Sequence, residues 1–170
     1  MTDQKIDDAA IARLPEILFE GEADALYGPV AKGDVENLSF DREMAELVDK
    51  MIMEVSAMFD EEVVDLDFSQ ESLEDLDRLV TQVWGRTPPE EQDVLDAIST
   101  NWGAYLGAAL IHNVGGHWQF RTDLDHACVF FPRTGMAVFP MHKLRKRFRL
   151  GENESIHDFY EAIIEELTGS

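Results

Sequence analysis

The sequence predicts an α+β domain: a mainly helical N-terminal half packed with a small antiparallel sheet of about three strands and C-terminal helices. Three observations lead there. Apolar residues recur every three to four positions through residues 41–60, 70–84 and 156–167, the period of a helix with one buried face. At Gly115-Gly116 that spacing gives way to short strand-like runs separated by polar or Pro/Gly-containing turns. Finally, the glycines nearby do not follow a strand with GxGxxG or GxxxxGK spacing, so a phosphate-cradling α/β fold is excluded. At 170 residues and 45% hydrophobic content the chain is sized for one domain, 1–170, with 1–40 as a helical extension on a 41–170 core.

Taken in order, residues 6–26 carry Ile6, Ala10, Ile11, Leu14, Leu18 and Phe19 around Pro15, which reads as two short helices or one entered afresh at the proline. Residues 27–40, with Gly28-Pro29 and Gly33-Asp34, read as a loop. Met44, Leu47, Val48, Met51, Ile52, Val55, Met58 and Phe59 then form a stripe over 41–60, where core packing is the expected role of the methionines. Residues 63–68 are either a short strand or an extended connector. Ser69 offers a hydroxyl cap to a helix ending at Gly85. Thr87-Pro88-Pro89-Glu90 is expected to act as a capping box with Pro88 at the first helical position. The helix it opens runs to Gly115-Gly116 and carries Gly103 and Gly107, each costing about 0.5–1 kcal/mol relative to alanine. Close approach of a neighbouring element would compensate, which makes this helix central. Strands follow at 117–120, 127–131 and 136–139, then a helix over 141–150 and a final one capped by Asn153, with Ile156, Phe159, Tyr160, Ile163, Ile164 and Leu167 on one face.

The charge is one-sided. Residues 1–100 hold 27 acids and 7 bases, and residues 101–170 hold 8 and 7, for a net −21. Such a field repels nucleic-acid phosphates and anionic membranes and draws in a basic protein, although acids that merely keep a helix face solvated give the same count. No uncharged apolar run of about 18 residues exists for a membrane helix, and the N-terminus lacks a basic start with an apolar run, so a cytoplasmic protein is expected. The oligomeric state stays open.

Against that background Lys143, Arg145, Lys146, Arg147 and Arg149 form a run of five bases with no acid. It suits an anion or an acidic surface of a partner. On a helix Leu144 and Phe148 would face inward, and the bases would form a solvated segment pairing with the protein's own acidic helices.

No complete catalytic constellation is spelled out, and no catalytic residue, metal site or cofactor is expected. His112, His117 and His126 match neither HExxH nor paired CxxC spacing. Cys128, between Ala127 and Val129, reads as a buried small hydrophobe, and neither it nor Ser99 sits in a strand-turn-helix elbow. A pocket, if there is one, is expected around His112, His117, Trp118 and Arg121.

The stretch GAYLGAALIHNVGGHW, followed by AVFPMHKLRKRFRLGENESIHDFYEAI, resembles a family of small uncharacterised bacterial proteins: a G-x-x-L-G-x-x-L helix, a G-G-x-W entry into strands, an F-P turn into a Lys/Arg-containing helix and an acidic "FY" helix. The resemblance covers roughly residues 66–167 and carries no catalytic residues with it. It implies a role among immunity proteins or chaperone-like adaptors. The expected function is therefore a non-enzymatic protein-binding protein of immunity type, with a secretion or adaptor chaperone, and a small enzyme or ligand-binding domain with a pocket near His117 and Trp118, as the alternatives.

Overall fold

The computed structural model describes residues 5–31, 34–59, 64–121 and 123–169, with the backbone alone over 34–38. Among the described residues are seven α-helices and four strands: α1 (Asp8–Ala12), β1 (Ile17–Phe19), α2 (Glu20–Tyr27), α3 (Asp34–Met58), α4 (Gln70–Trp84), α5 (Gln92–Val114), β2 (His117–Gln119), β3 (Cys128–Phe131), β4 (Met136–Val138), α6 (Pro140–Leu150) and α7 (Ile156–Thr168). The sheet is antiparallel throughout, in the order β1-β4-β3-β2. The α+β class stands, dominated by helix.

The fourth strand is the first difference from the sequence reading. Between the two short helices, residues 17–19 pair with β4, Leu18 opposite Ala137. Three residues are too few for alternation to show in a sequence, and Pro15 ahead of them looks like a helix break as much as a strand entry.

β3 is buried on both faces, which is why its sequence, Cys-Val-Phe-Phe, is continuously apolar rather than alternating. Val129, Phe131, Met136 and Val138 join the main core with the helices. Cys128, Phe130, Ala137 and Phe139 pack on the other side with Ala23 and Tyr27 of α2 and with Leu18.

Three helix starts also differ. α3 begins at Asp34, seven residues ahead of the expected start, because neither proline nor glycine interrupts residues 34–58; Gly33, the expected helix end at Asp60 and the expected start of the connector at Val63 lie outside the described residues. α5 begins at Gln92 with Glu91 as an N-cap that makes no side-chain hydrogen bond, so the capping box at Thr87 does not form. The physical reason is the second proline: Pro89 disfavours helical dihedrals at Pro88. The final helix is capped by Ser155, whose hydroxyl accepts from Asp158 N, while Asn153 sits in a preceding 3-10 turn. By contrast Ser69 caps α4 as the sequence implies, accepting from Ser72 N, and the extended segment before it is a connector.

The two α5 glycines have the reason the sequence suggested. A methyl group on Gly103 would lie 2.9 Å from Cα of Met141 on α6, and one on Gly107 would overlap the Trp118 ring on β2. The helix is thus pressed between α6 and the edge of the sheet.

Candidate functional site

α6 is the most unexpected element, since a Lys-Leu-Arg-Lys-Arg-Phe-Arg sequence reads as surface yet residues 140–148 are all buried. Leu144 and Phe148 do face the core, Phe148 in edge contact with Trp84 and Trp102. The bases around them each meet an acid from another part of the chain. Lys143 Nζ reaches Glu154 (2.7 Å) and Glu16 (3.7 Å), and Lys146 Nζ reaches Glu16 (2.8 Å). Arg145 bridges Asp96 (3.1 Å) and Asp125 (3.0 Å). Arg147 donates to Asp77 Oδ1 (2.9 Å), to the Asp77 carbonyl and to Thr81 Oγ1. Arg149 holds both carboxylate oxygens of Asp8 and the carbonyl of Pro89. Asp77 is shared further: its two oxygens also accept from Ile156 N, His157 N and Ser155 Oγ, tying α4 to the start of α7. The sequence anticipated the pairing but not the burial. The bases proposed as partner contacts are turned inward, leaving little of them for a partner.

A groove lies elsewhere, between α3 and α5. It has a volume of about 370 Å³ and is lined by Asp41, Met44, Ala45 and Val48 from α3, Ala108, Ile111 and His112 from α5, Phe68 and Trp118. The α3 residues recur at i, i+3, i+4 and i+7, so one face of the helix supplies that wall. Phe68, at the other side, has φ +65°, a left-handed conformation costly for an aromatic residue. It is held there from both ends of its backbone: Tyr105 Oη accepts from Phe68 N (2.9 Å), and Asn113 Nδ2 donates to Phe68 O (2.6 Å). Its ring stacks on Tyr105 and leans on His112. Burial raises the Tyr105 hydroxyl above its ordinary value, keeping it a neutral donor and acceptor between Ser72 and Phe68. Burial likewise raises the Asp41 carboxyl, an effect opposed by His117.

Of the four residues expected to share a pocket, the structure brings two together and places two elsewhere. His112 and Trp118 line the groove. His117 precedes Trp118 on β2, and successive strand residues point to opposite faces; it is exposed, with its ring edge-on to Phe130. Arg121 is buried beneath α2, donating to Asp24 (2.9 Å), to the Gly28 carbonyl and to Cys128 Sγ. The residues sequence reasoning missed are Asp41, Ala45, Phe68, Ala108 and Ile111. The stripe on α3 gave Met44 and Val48, but as core alone.

His126 stacks on Tyr27 and its Nδ1 lies 3.1 Å from His142 Nε2, while His142 Nδ1 lies 2.6 Å from the Pro15 carbonyl. A carbonyl only accepts, so His142 carries its proton on Nδ1 and its Nε2 accepts a hydrogen bond from His126 Nδ1–H. Burial, with smaller contributions from neighbouring charges, lowers its pKa to about 4. The pair pins the segment ahead of β1 to α6. Burial pushes the Cys128 thiol up despite Arg121, so it is a packed group rather than a nucleophile. His157, Asp158 and Glu161 bring donor atoms within 4.8 Å of one another, with Asp158 and Glu161 exposed and the Gln70 amide hydrogen-bonded to His157 and Glu161. Neither His112, His117 nor His126 belongs to that group.

No family model, curated protein or solved structure matches this chain. Among the described residues no helix is long and apolar enough to cross a membrane.

Proposed function

We propose that the chain is a non-enzymatic protein-binding protein that captures a basic partner, in the manner of an immunity protein neutralising its target. The observation that supports this reading is the direction in which the cations point. Arg121 and the five α6 bases are consumed by seven acids inside the fold: Asp8, Glu16, Asp24, Asp77, Asp96, Asp125 and Glu154. Setting those six bases and seven acids aside leaves 28 of the 35 acids against 8 of the 14 bases. A chain with so one-sided a remaining charge speeds the encounter with a basic protein and repels acidic ones. An adaptor chaperone uses the same field, and differs in binding its partner unfolded.

The test is capture of the partner, identified by crosslinking in cells and then rebuilt from purified components. The expected partner is basic and folded when bound, and its association rate falls at least about tenfold between 0.01 and 0.15 M salt as the Debye length shrinks from about 30 to 8 Å. A partner bound only when unfolded would assign the chaperone role. Stoichiometric retention of a metal or cofactor by the purified protein would overturn the binder reading in favour of a small enzyme or ligand-binding domain.

A further inference from the structure

Resting on that reading, we propose where and how the partner is held: an amphipathic, basic helix of the partner docks its apolar face into the groove between α3 and α5. The walls are two helix faces, Met44, Ala45 and Val48 on one side and Ala108 and Ile111 on the other, closed by the rings of Phe68 and Trp118. A space of about 370 Å³ takes a few anchor side chains rather than a whole element, which is how a helix laid in a groove engages, through anchors at i, i+3 or i+4, and i+7. The floor is held in shape, because Phe68 is fixed at both its N–H and its carbonyl and Trp118 is seated over Gly107. A preformed groove leaves less ordering to be done on binding.

The charge at the rim selects the occupant. Asp41 lies in the groove, on its α3 side. Asp65 and Asp67 precede Phe68 in the connector that leads into it, and hydrogen bonds from the Ser69 hydroxyl and N–H lower the Asp67 carboxyl below its ordinary value. An apolar helix face bordered by lysine or arginine meets complementary groups on both sides; one bordered by acids meets repulsion.

The probe is a designed 18-residue helical peptide of leucine and lysine, compared with a peptide of the same composition in scrambled order, each titrated into isotope-labelled protein and followed by NMR. The amphipathic peptide is expected to shift the amides of Ala45, Ala108, Ile111 and Trp118 and to bind at least tenfold more tightly than the scrambled one. Ala45→Trp, a substitution at an exposed position that fills the groove, is expected to weaken peptide and natural partner alike by at least tenfold. Asp41→Lys is expected to weaken them severalfold with no change in thermal stability. Equal binding of the two peptides, shifts spread over the outer acidic faces, or unchanged capture of the natural partner by the folded Ala45→Trp protein would each overturn the groove while leaving the binder reading intact. Failure of the wild-type protein to capture any basic protein would overturn the binder reading itself.

Discussion

α6 and the groove face of α3 are both charged helical surfaces, and they treat their charges in opposite ways. On α6 every base has an acid within 3.1 Å, contributed by α1, α4, α5, the turn before β1 or the turns beside β3 and α7. On α3 the Asp41 and Asp49 side chains are exposed, Asp41 at an apolar groove that no element of the described chain fills. A buried pair whose partner is removed leaves an uncompensated charge, whereas an exposed acid loses only a screened interaction. One surface is spent on folding, and the other is available for binding.

The sharpest way to break the comparison is Asp77→Ala. It strands the Arg147 guanidinium in the core and strips the acceptor from Ile156 N, His157 N and Ser155 Oγ. A loss of about 3–5 kcal/mol in urea unfolding is expected; a loss below about 1 kcal/mol would return α6 to the status of an ordinary exposed helix.

Acid is expected to act on the same side of the molecule. His142 is held neutral with its pKa lowered from 6.5 to about 4, so below pH 6.5 the unfolded chain binds a proton that the folded one refuses. Stability present above pH 6.5 is then lost as pH falls toward 4, by about 3 kcal/mol from this group. His142→Gln should flatten that part of the stability–pH curve, and an unaltered slope would remove His142 as its source.

Gly107→Ala probes the border between the two regions. Alanine improves helix propensity by about 1 kcal/mol, but its methyl must displace the Trp118 ring, and overpacking of that kind costs about 1–3 kcal/mol. Net destabilisation with weakened peptide binding is expected; a more stable protein would show that Trp118 moves freely. Ser99→Ala should be mildly stabilising, by up to about 1 kcal/mol, because the Ser99 hydroxyl is buried and has no partner among the described residues. Ala45→Trp is expected to change folding by less than about 0.5 kcal/mol in the same unfolding assay, and this contrast with Asp77→Ala is the most direct measure of the difference between the two surfaces.

Much of the helical frame was legible because amphipathic period and caps are local. Leu73, Leu76, Val80 and Ser69 define α4, and Ile156, Phe159, Tyr160 and Ile163 define α7, without reference to anything distant. β1 was not legible, since its identity as a strand comes from Ala137 and its neighbours rather than from Ile17–Phe19. The burial of α6 was hidden for a related reason: hydropathy registers that lysine and arginine prefer water, not that six distant carboxylates will replace it. The candidate pocket was half legible. His112 and Trp118 do meet in a groove, but Phe68 enters from 44 positions before His112 and His117 leaves by strand alternation.

The network around α6 also constrains the order of events during synthesis. Asp8 and Arg149 are 141 positions apart, and Glu16 and Lys146 are 130 apart. At about 5–20 residues per second, a ribosome makes Asp8 roughly 7–28 s before the guanidinium that neutralises it. Until then residues 1–100 carry 27 acids against 7 bases, and the repulsion among them opposes their coming together. Folding of this chain is therefore expected to be a late, concerted event that waits on α6, and the nascent protein stays open to protease and chaperone for nearly the whole time of its manufacture.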